Sequence, residues 1–100
     1  MTRHALYVEL EAKPGKEQEV ASFLSNARKM VNDEPDTTAW FAIRMGPNRF
    51  AIFDAFANER GREAHLNGKV ASQLMAKTPE LFAKAPEIHR LDVIADKLPH

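Results

Sequence analysis

No cysteine occurs anywhere in this chain of one hundred residues. That excludes a disulfide framework, a thiolate nucleophile and any cysteine-ligated metal. Neither sign of charge dominates: fourteen acids balance fourteen bases, so the electrostatic footprint of a nucleic-acid or anionic-membrane binder is missing. No apolar run approaches a membrane span, and the first residues, Met1 to His4, lack the apolar core of a signal peptide. There is no G-x-G-x-x-G and no phosphate loop, hence no motif for flavin, nicotinamide or nucleotide. The four histidines, His4, His65, His89 and His100, are scattered, with no ligand pair at i, i+4. The expectation is a soluble cytoplasmic protein, one domain over residues 1–100, with no cofactor, no metal and no nucleic-acid or membrane partner. A domain this small buries a modest fraction of its surface and gains from a partner subunit.

What is present is strong patterning. Residues 4 to 12 alternate, with Leu6, Val8 and Leu10 against Tyr7, Glu9 and Glu11, the period of a half-buried strand. Lys13-Pro14-Gly15 ends it. Val20, Phe23, Leu24, Ala27 and Val31 recur at three and four residues, an amphipathic helix, which Asn32 to Asp36 breaks. A strand over about Thr37 to Met45 sets Ala39, Phe41 and Ile43 against Trp40, Ala42 and Arg44. Gly46-Pro47-Asn48 reads as a hairpin loop, so the next strand pairs with it antiparallel. A second helix is expected over about Glu59 to Lys77, with Asn58 as N-cap. Thr78-Pro79-Glu80 restarts a short turn, and a last strand runs from Ile88 to Ala95.

The order is βαββαβ, an α+β ferredoxin-like pattern with an antiparallel sheet. Within the central strand, Phe50, Ile52, Asp54 and Phe56 share one face, and Ala51, Phe53 and Ala55 the other. Because the second set is small, it is assigned here to the face under the helices. Trp40, Phe50, Ile52 and Phe56 then fall on the uncovered face, which predicts a homodimer whose two sheets enclose a barrel. An acid among aromatics suggests a lined cavity, because a buried carboxylate needs a partner.

The βαββαβ order, the K-P-G-K-E at Lys13 to Glu17 and the F-x-I-F-D-x-F…A-H-L of Phe50 to Leu66 resemble the antibiotic biosynthesis monooxygenase family over nearly the whole chain. The resemblance implies a dimeric α+β barrel and, in its oxygenase branch, cofactor-free oxidation of a quinol, anthrone or other electron-rich aromatic by dioxygen. Heme-degrading relatives also share the fold, but the position where that branch places its iron ligand holds Met75 here. In the mechanism implied, His65 is the base, Arg44 the oxyanion donor, and Trp40, Phe50, Ile52 and Phe56 the walls. Asp54 orients His65 or is itself the base, and Tyr7 supplies a hydroxyl.

Each of these residues has a plainer reading. His65 can be a hydrogen-bonded structural histidine, and Asp54 an ion pair with Arg44 or Arg49. Trp40 and Tyr7 can be packing residues, and Arg60, Arg62, Glu63 and Lys69 a solvated helix face. Leu66, Val70 and Leu74 form a core or dimer stripe. Gly61 and Gly68 each cost a helix about 1 kcal/mol against alanine, so a close approach by a strand, a partner or a ligand is expected there. Two rival functions use the same residues: a non-catalytic module for small ligands or dimerisation, and a cofactor-free isomerase or lyase. An unpaired, pocket-facing His65 favours an enzyme, and a space filled by Trp40 and the phenylalanines favours the module.

Overall fold

The computed structural model describes residues 2–99; Met1 and His100, both named above, lie outside the described residues. The elements are β1 (His4–Glu11), α1 (Glu17–Val31), β2 (Thr37–Arg44), β3 (Arg49–Phe56), α2 (Glu59–Leu66), α3 (Lys69–Leu81) and β4 (Glu87–Asp92). All three strand pairings are antiparallel and the sheet order is β2-β3-β1-β4, the ferredoxin-like arrangement the alternation predicts. The β2–β3 hairpin closes where Met45 N–H donates to the Arg49 carbonyl at 2.8 Å.

Three boundaries differ from expectation. The second helix breaks at Asn67 and Gly68 into α2 and α3, with Gly68 in an extended conformation as the cap of α3. Asparagine and glycine are poor helix formers and good caps. Pro79 lies inside α3, and Thr78 does not cap a new turn. Its hydroxyl donates back to the Leu74 carbonyl at 2.9 Å, a bond made within helices. Strand β4 starts at Glu87 and stops at Asp92 because β1, its partner, starts at His4; just beyond it Val93 N–H donates to the Arg3 carbonyl.

The faces of the sheet are the reverse of the sequence assignment. Phe50 and Ile52 pack with Val8 and Leu10 against Val20 and Leu24 of α1 and Leu74 and Leu81 of α3. Trp40 packs against both this cluster and a second one of Ala27, Val31 and Val70. The register places Trp40 opposite Asp54, and His4 opposite Phe56, on the same helix-covered side. The bulky set therefore faces the core, each of its apolar side chains contributing about 1.5–3 kcal/mol on burial. Alternation separates two faces but does not say which one the helices cover. The open face carries Tyr7, Phe41, Ile43 and Phe53 with small alanines between them, and Phe41 and Ile43 are exposed.

The helix faces hold a second correction. Arg62 is buried, not solvated, and donates from Nη1 to the Leu91 carbonyl at 3.1 Å. Glu63 is ion-paired to Arg90 of β4.

Candidate functional site

The site forms where α2 crosses the end of the central strand. Asn58 caps α2 by accepting the Gly61 N–H at 2.8 Å, which fixes the start of the helix three residues after β3 ends. His65, just under two turns on, then lies back over the strand. Its ring sits 5.4 Å from that of Phe56. Its Nε2 is 2.8 Å from Asp54 Oδ2. On the other side, Nδ1 is 2.6 Å from Glu34 Oε1, and the Thr37 hydroxyl donates to that same oxygen at 2.7 Å.

A line of Asp54, His65 and Glu34 results, buried at its first two members and half-buried at the third, with side-chain exposures of 1%, 7% and 22%. Sequence reasoning placed Asp54 beside His65 and missed Glu34 altogether. The contact to Asp54 is short but does not meet the geometry of a hydrogen bond; both Asp54 oxygens are buried and otherwise unpartnered among the described residues. It is an ion-pair contact between two buried groups when the ring is protonated. The indole N–H of Trp40, across the strand pair from Asp54, is buried without a partner as well.

Electrostatics follow from this arrangement. Burial pushes the Asp54 carboxyl up from its ordinary value, and the His65 contact only partly opposes that. Burial alone drives His65 down, but Asp54 and then Glu34 more than offset it, leaving its pKa raised. The two acids thus favour the imidazolium form of His65 against the opposing effect of burial. The two carboxylates take opposite ring nitrogens, so the three groups do not converge on one point, and no metal-binding cluster occurs among the described residues.

A cavity of about 540 Å³ opens beside the line, within the range of small-ligand sites. His65 and Glu34 line it, with Met30, Pro35, Lys29 and Lys69 among its other walls. Gly61 and Gly68 also line it, and both are explained by close approach. A Cβ on Gly61 would stand 2.7 Å from Asp36 Cβ, and one on Gly68 3.2 Å from the Ala64 carbonyl and 3.5 Å from Glu34 Oε2. Gly61 lets the loop carrying Asp36 close onto α2, while Gly68 lets the chain turn tightly against the end of α2.

The other predicted site residues scatter. Arg44 lies over the Phe50 ring at 4.9 Å. It is four residues along β2 from Trp40, roughly 13 Å from the level of Asp54, so it is not a donor for this site. Nor does Arg44 or Arg49 pair with Asp54: Arg49 meets Glu9 at 3.5 Å. Tyr7 is on the open face, where its hydroxyl contacts Glu9 and Met45. Phe50 and Ile52 belong to the core and not to the walls of this cavity. The Phe56 ring faces that of His65, and Trp40 stands opposite Asp54.

Comparison with solved structures gives the fold a context. A protein of unknown function from Nitrosomonas europaea is 51% identical, spans 100% of this chain and 97% of its own, and superposes with a TM-score of 0.98. A "putative antibiotic biosynthesis monooxygenase" from the same organism matches at 13% identity over 92% of this chain and 90% of its own, with a TM-score of 0.81. Another so named, from Caulobacter crescentus, matches at 18% identity over 94% of this chain and 92% of its own, with a TM-score of 0.79. Neither family models nor curated proteins gave a match to the sequence.

Proposed function

The chain belongs to the family of the Nitrosomonas europaea protein of unknown function and carries the fold of the antibiotic biosynthesis monooxygenases, and from that premise we propose a cofactor-independent monooxygenase of electron-rich aromatics such as quinols or anthrones. The observation that carries the reading is the Asp54–His65–Glu34 line against a cavity of ligand size. Buried ionisable groups with opposed pKa pressures, beside a cavity, are the usual signature of proton-handling chemistry.

For an anthrone the reaction balances without a cofactor: the CH2 carbon and O2 become a carbonyl and water. The acidic substrate gives a proton to a base, and its anion passes one electron to dioxygen. The radical pair joins as a peroxide at carbon. Loss of water, assisted by a proton from the site, leaves the carbonyl. The protein supplies a base, an acid and an apolar space that keeps the anion from water. The Asp54–His65–Glu34 line can hold and return that proton.

Assembly belongs to the same proposal. The open sheet face, with Phe41 55% and Ile43 42% exposed, is an apolar surface that a second copy would cover. This is the face opposite to the one assigned from the sequence. Among the described residues no helix is long and apolar enough to cross a membrane.

A second reading has its own support. Both ring nitrogens of His65 are engaged and Trp40 is packed into the core clusters, which favours a non-catalytic small-ligand or dimerisation module. Oxygen uptake with a panel of quinols and anthrones separates the two. The oxygenase reading expects substrate-dependent uptake, lowered about a hundredfold or more by His65→Ala. Uptake at the uncatalysed rate with every substrate leaves the module, and substrate turnover without oxygen consumption leaves an isomerase or lyase.

A further inference from the structure

Within the Asp54–His65–Glu34 line, the geometry points to Glu34 as the catalytic residue that takes the substrate's proton, with His65 as the positioning residue behind it. The inference rests on the proposed oxygenase reading and names the atom where its first step occurs.

Access decides among the three groups. Asp54 is 1% exposed and sealed beneath α2. His65 is 7% exposed and both its nitrogens already face carboxylates, so neither offers a lone pair to a substrate. Glu34 is 22% exposed and lines the cavity. Its Oε1 is occupied by His65 and Thr37. Oε2 has no hydrogen-bond partner among the described residues and is the oxygen that lies nearest Gly68 at the cavity wall.

Glu34 is also held in place, unlike a solvated surface acid. Its backbone N–H donates to the Val31 carbonyl at 2.9 Å, and its own carbonyl accepts from Thr37 N–H at 3.4 Å. The close packing of Asp36 on Gly61 pins the same loop. A carboxylate fixed at a cavity, with one oxygen spent on positioning and the other free, is pre-organised to accept a proton.

The charge count supports the direction of transfer. Two carboxyl groups share one imidazole, so the ring can balance one carboxylate, and the other, at the cavity, is left to a proton from outside the line. The charged groups facing Glu34 are His65 from α2, Asp54 behind it on β3, Lys29 of α1, Lys69 of α3, and Asp33 and Asp36 of its own loop. In the step itself the phenolic O–H bond breaks, its electron pair stays on the substrate oxygen, and the proton forms a bond to Oε2. No electron is transferred.

The test is binding of alizarin, a hydroxyanthraquinone that cannot complete the oxidation and whose visible band moves to longer wavelength on ionisation. Wild type should hold it partly ionised at pH values below the ionisation midpoint of the free dye. Glu34→Gln should bind it within a few-fold of wild type but lower the ionised fraction on the order of tenfold. Formate added to Glu34→Ala should restore the ionised band, which a merely misfolded variant would not show. An ionised fraction unchanged by Glu34→Gln, or lost in both variants without formate rescue, overturns the role of Glu34 while wild-type oxygen uptake still stands as the test of the oxygenase. Failure of wild type to bind the dye at all would remove both the site and this inference.

Discussion

The Nε2 atom of His65 lies 2.8 Å from Oδ2 of Asp54, a fully buried carboxylate with no other partner among the described residues. An unpaired charge in that place would be expensive, so each group depends on the other for its protonation state. Asp54→Asn should therefore lower the His65 pKa from its raised position toward the ordinary histidine value or below, because burial then acts with one acid fewer against it. An NMR titration of the His65 ring protons in wild type and Asp54→Asn reads this directly. An unchanged midpoint would mean that Glu34 alone sets the charge of the ring.

The same coupling makes stability depend on pH in a defined direction. A raised folded-state pKa means that the native state binds the proton more tightly than the unfolded chain. The stability this gives is complete below the unfolded histidine value of about 6.5 and is lost as pH rises through the folded value. Asp54, also raised, acts in the same direction at lower pH, costing stability as pH rises from its unfolded value through its folded one. Thermal unfolding should show a midpoint that falls as pH rises above about 6.5 in wild type and a flatter profile in His65→Gln. A midpoint that rises over that range would contradict the charge assignment.

Gly61→Ala should destabilise the protein by about 1–3 kcal/mol despite alanine's better helix propensity. The new methyl meets Asp36 Cβ at 2.7 Å and its carbonyl at 3.2 Å, neither of them the far end of a flexible chain. Gly46→Ala, with nothing within 4 Å of its added Cβ, is the matched control, expected within about 0.5 kcal/mol of wild type. Denaturant unfolding of the two variants measures the difference.

Self-association should depend on the open sheet face and not on the face holding Trp40. Phe41→Lys places a charge among the exposed apolar residues of β2 and should shift sedimentation from dimer to monomer at micromolar concentration. Arg60→Glu, on the exposed helical side, should leave the dimer intact. A wild-type monomer would remove the barrel from the proposal.

The Asp54–His65 contact was within reach of the sequence because it is nearly local. A strand ending at Phe56, a cap at Asn58 and a helix starting at Glu59 leave little freedom, so His65 returns over the strand it has just left. Glu34 carried no such signal. It lies 31 residues from His65 in a loop rich in acids, and nothing in the pattern distinguishes it from Asp33 or Asp36. Arg44 failed as a site residue for a related reason: it shares Trp40's face, but its level along the strand against a helix comes from register and packing, which composition does not encode.

The sequence by itself determined the βαββαβ order, the hairpin, the Asn58 cap and the division of β3 into two sets of side chains, though not the break of the second helix at Asn67 and Gly68, because backbone periodicity and local capping are properties of neighbouring residues. Only the tertiary structure decided that the bulky set of Phe50, Ile52, Asp54 and Phe56 lies beneath the helices and the alanine-rich set outside. Both choices satisfy the same alternation. They differ in which apolar stripe of α1 and α3 meets which side of the sheet, and that contact joins residues far apart in the chain.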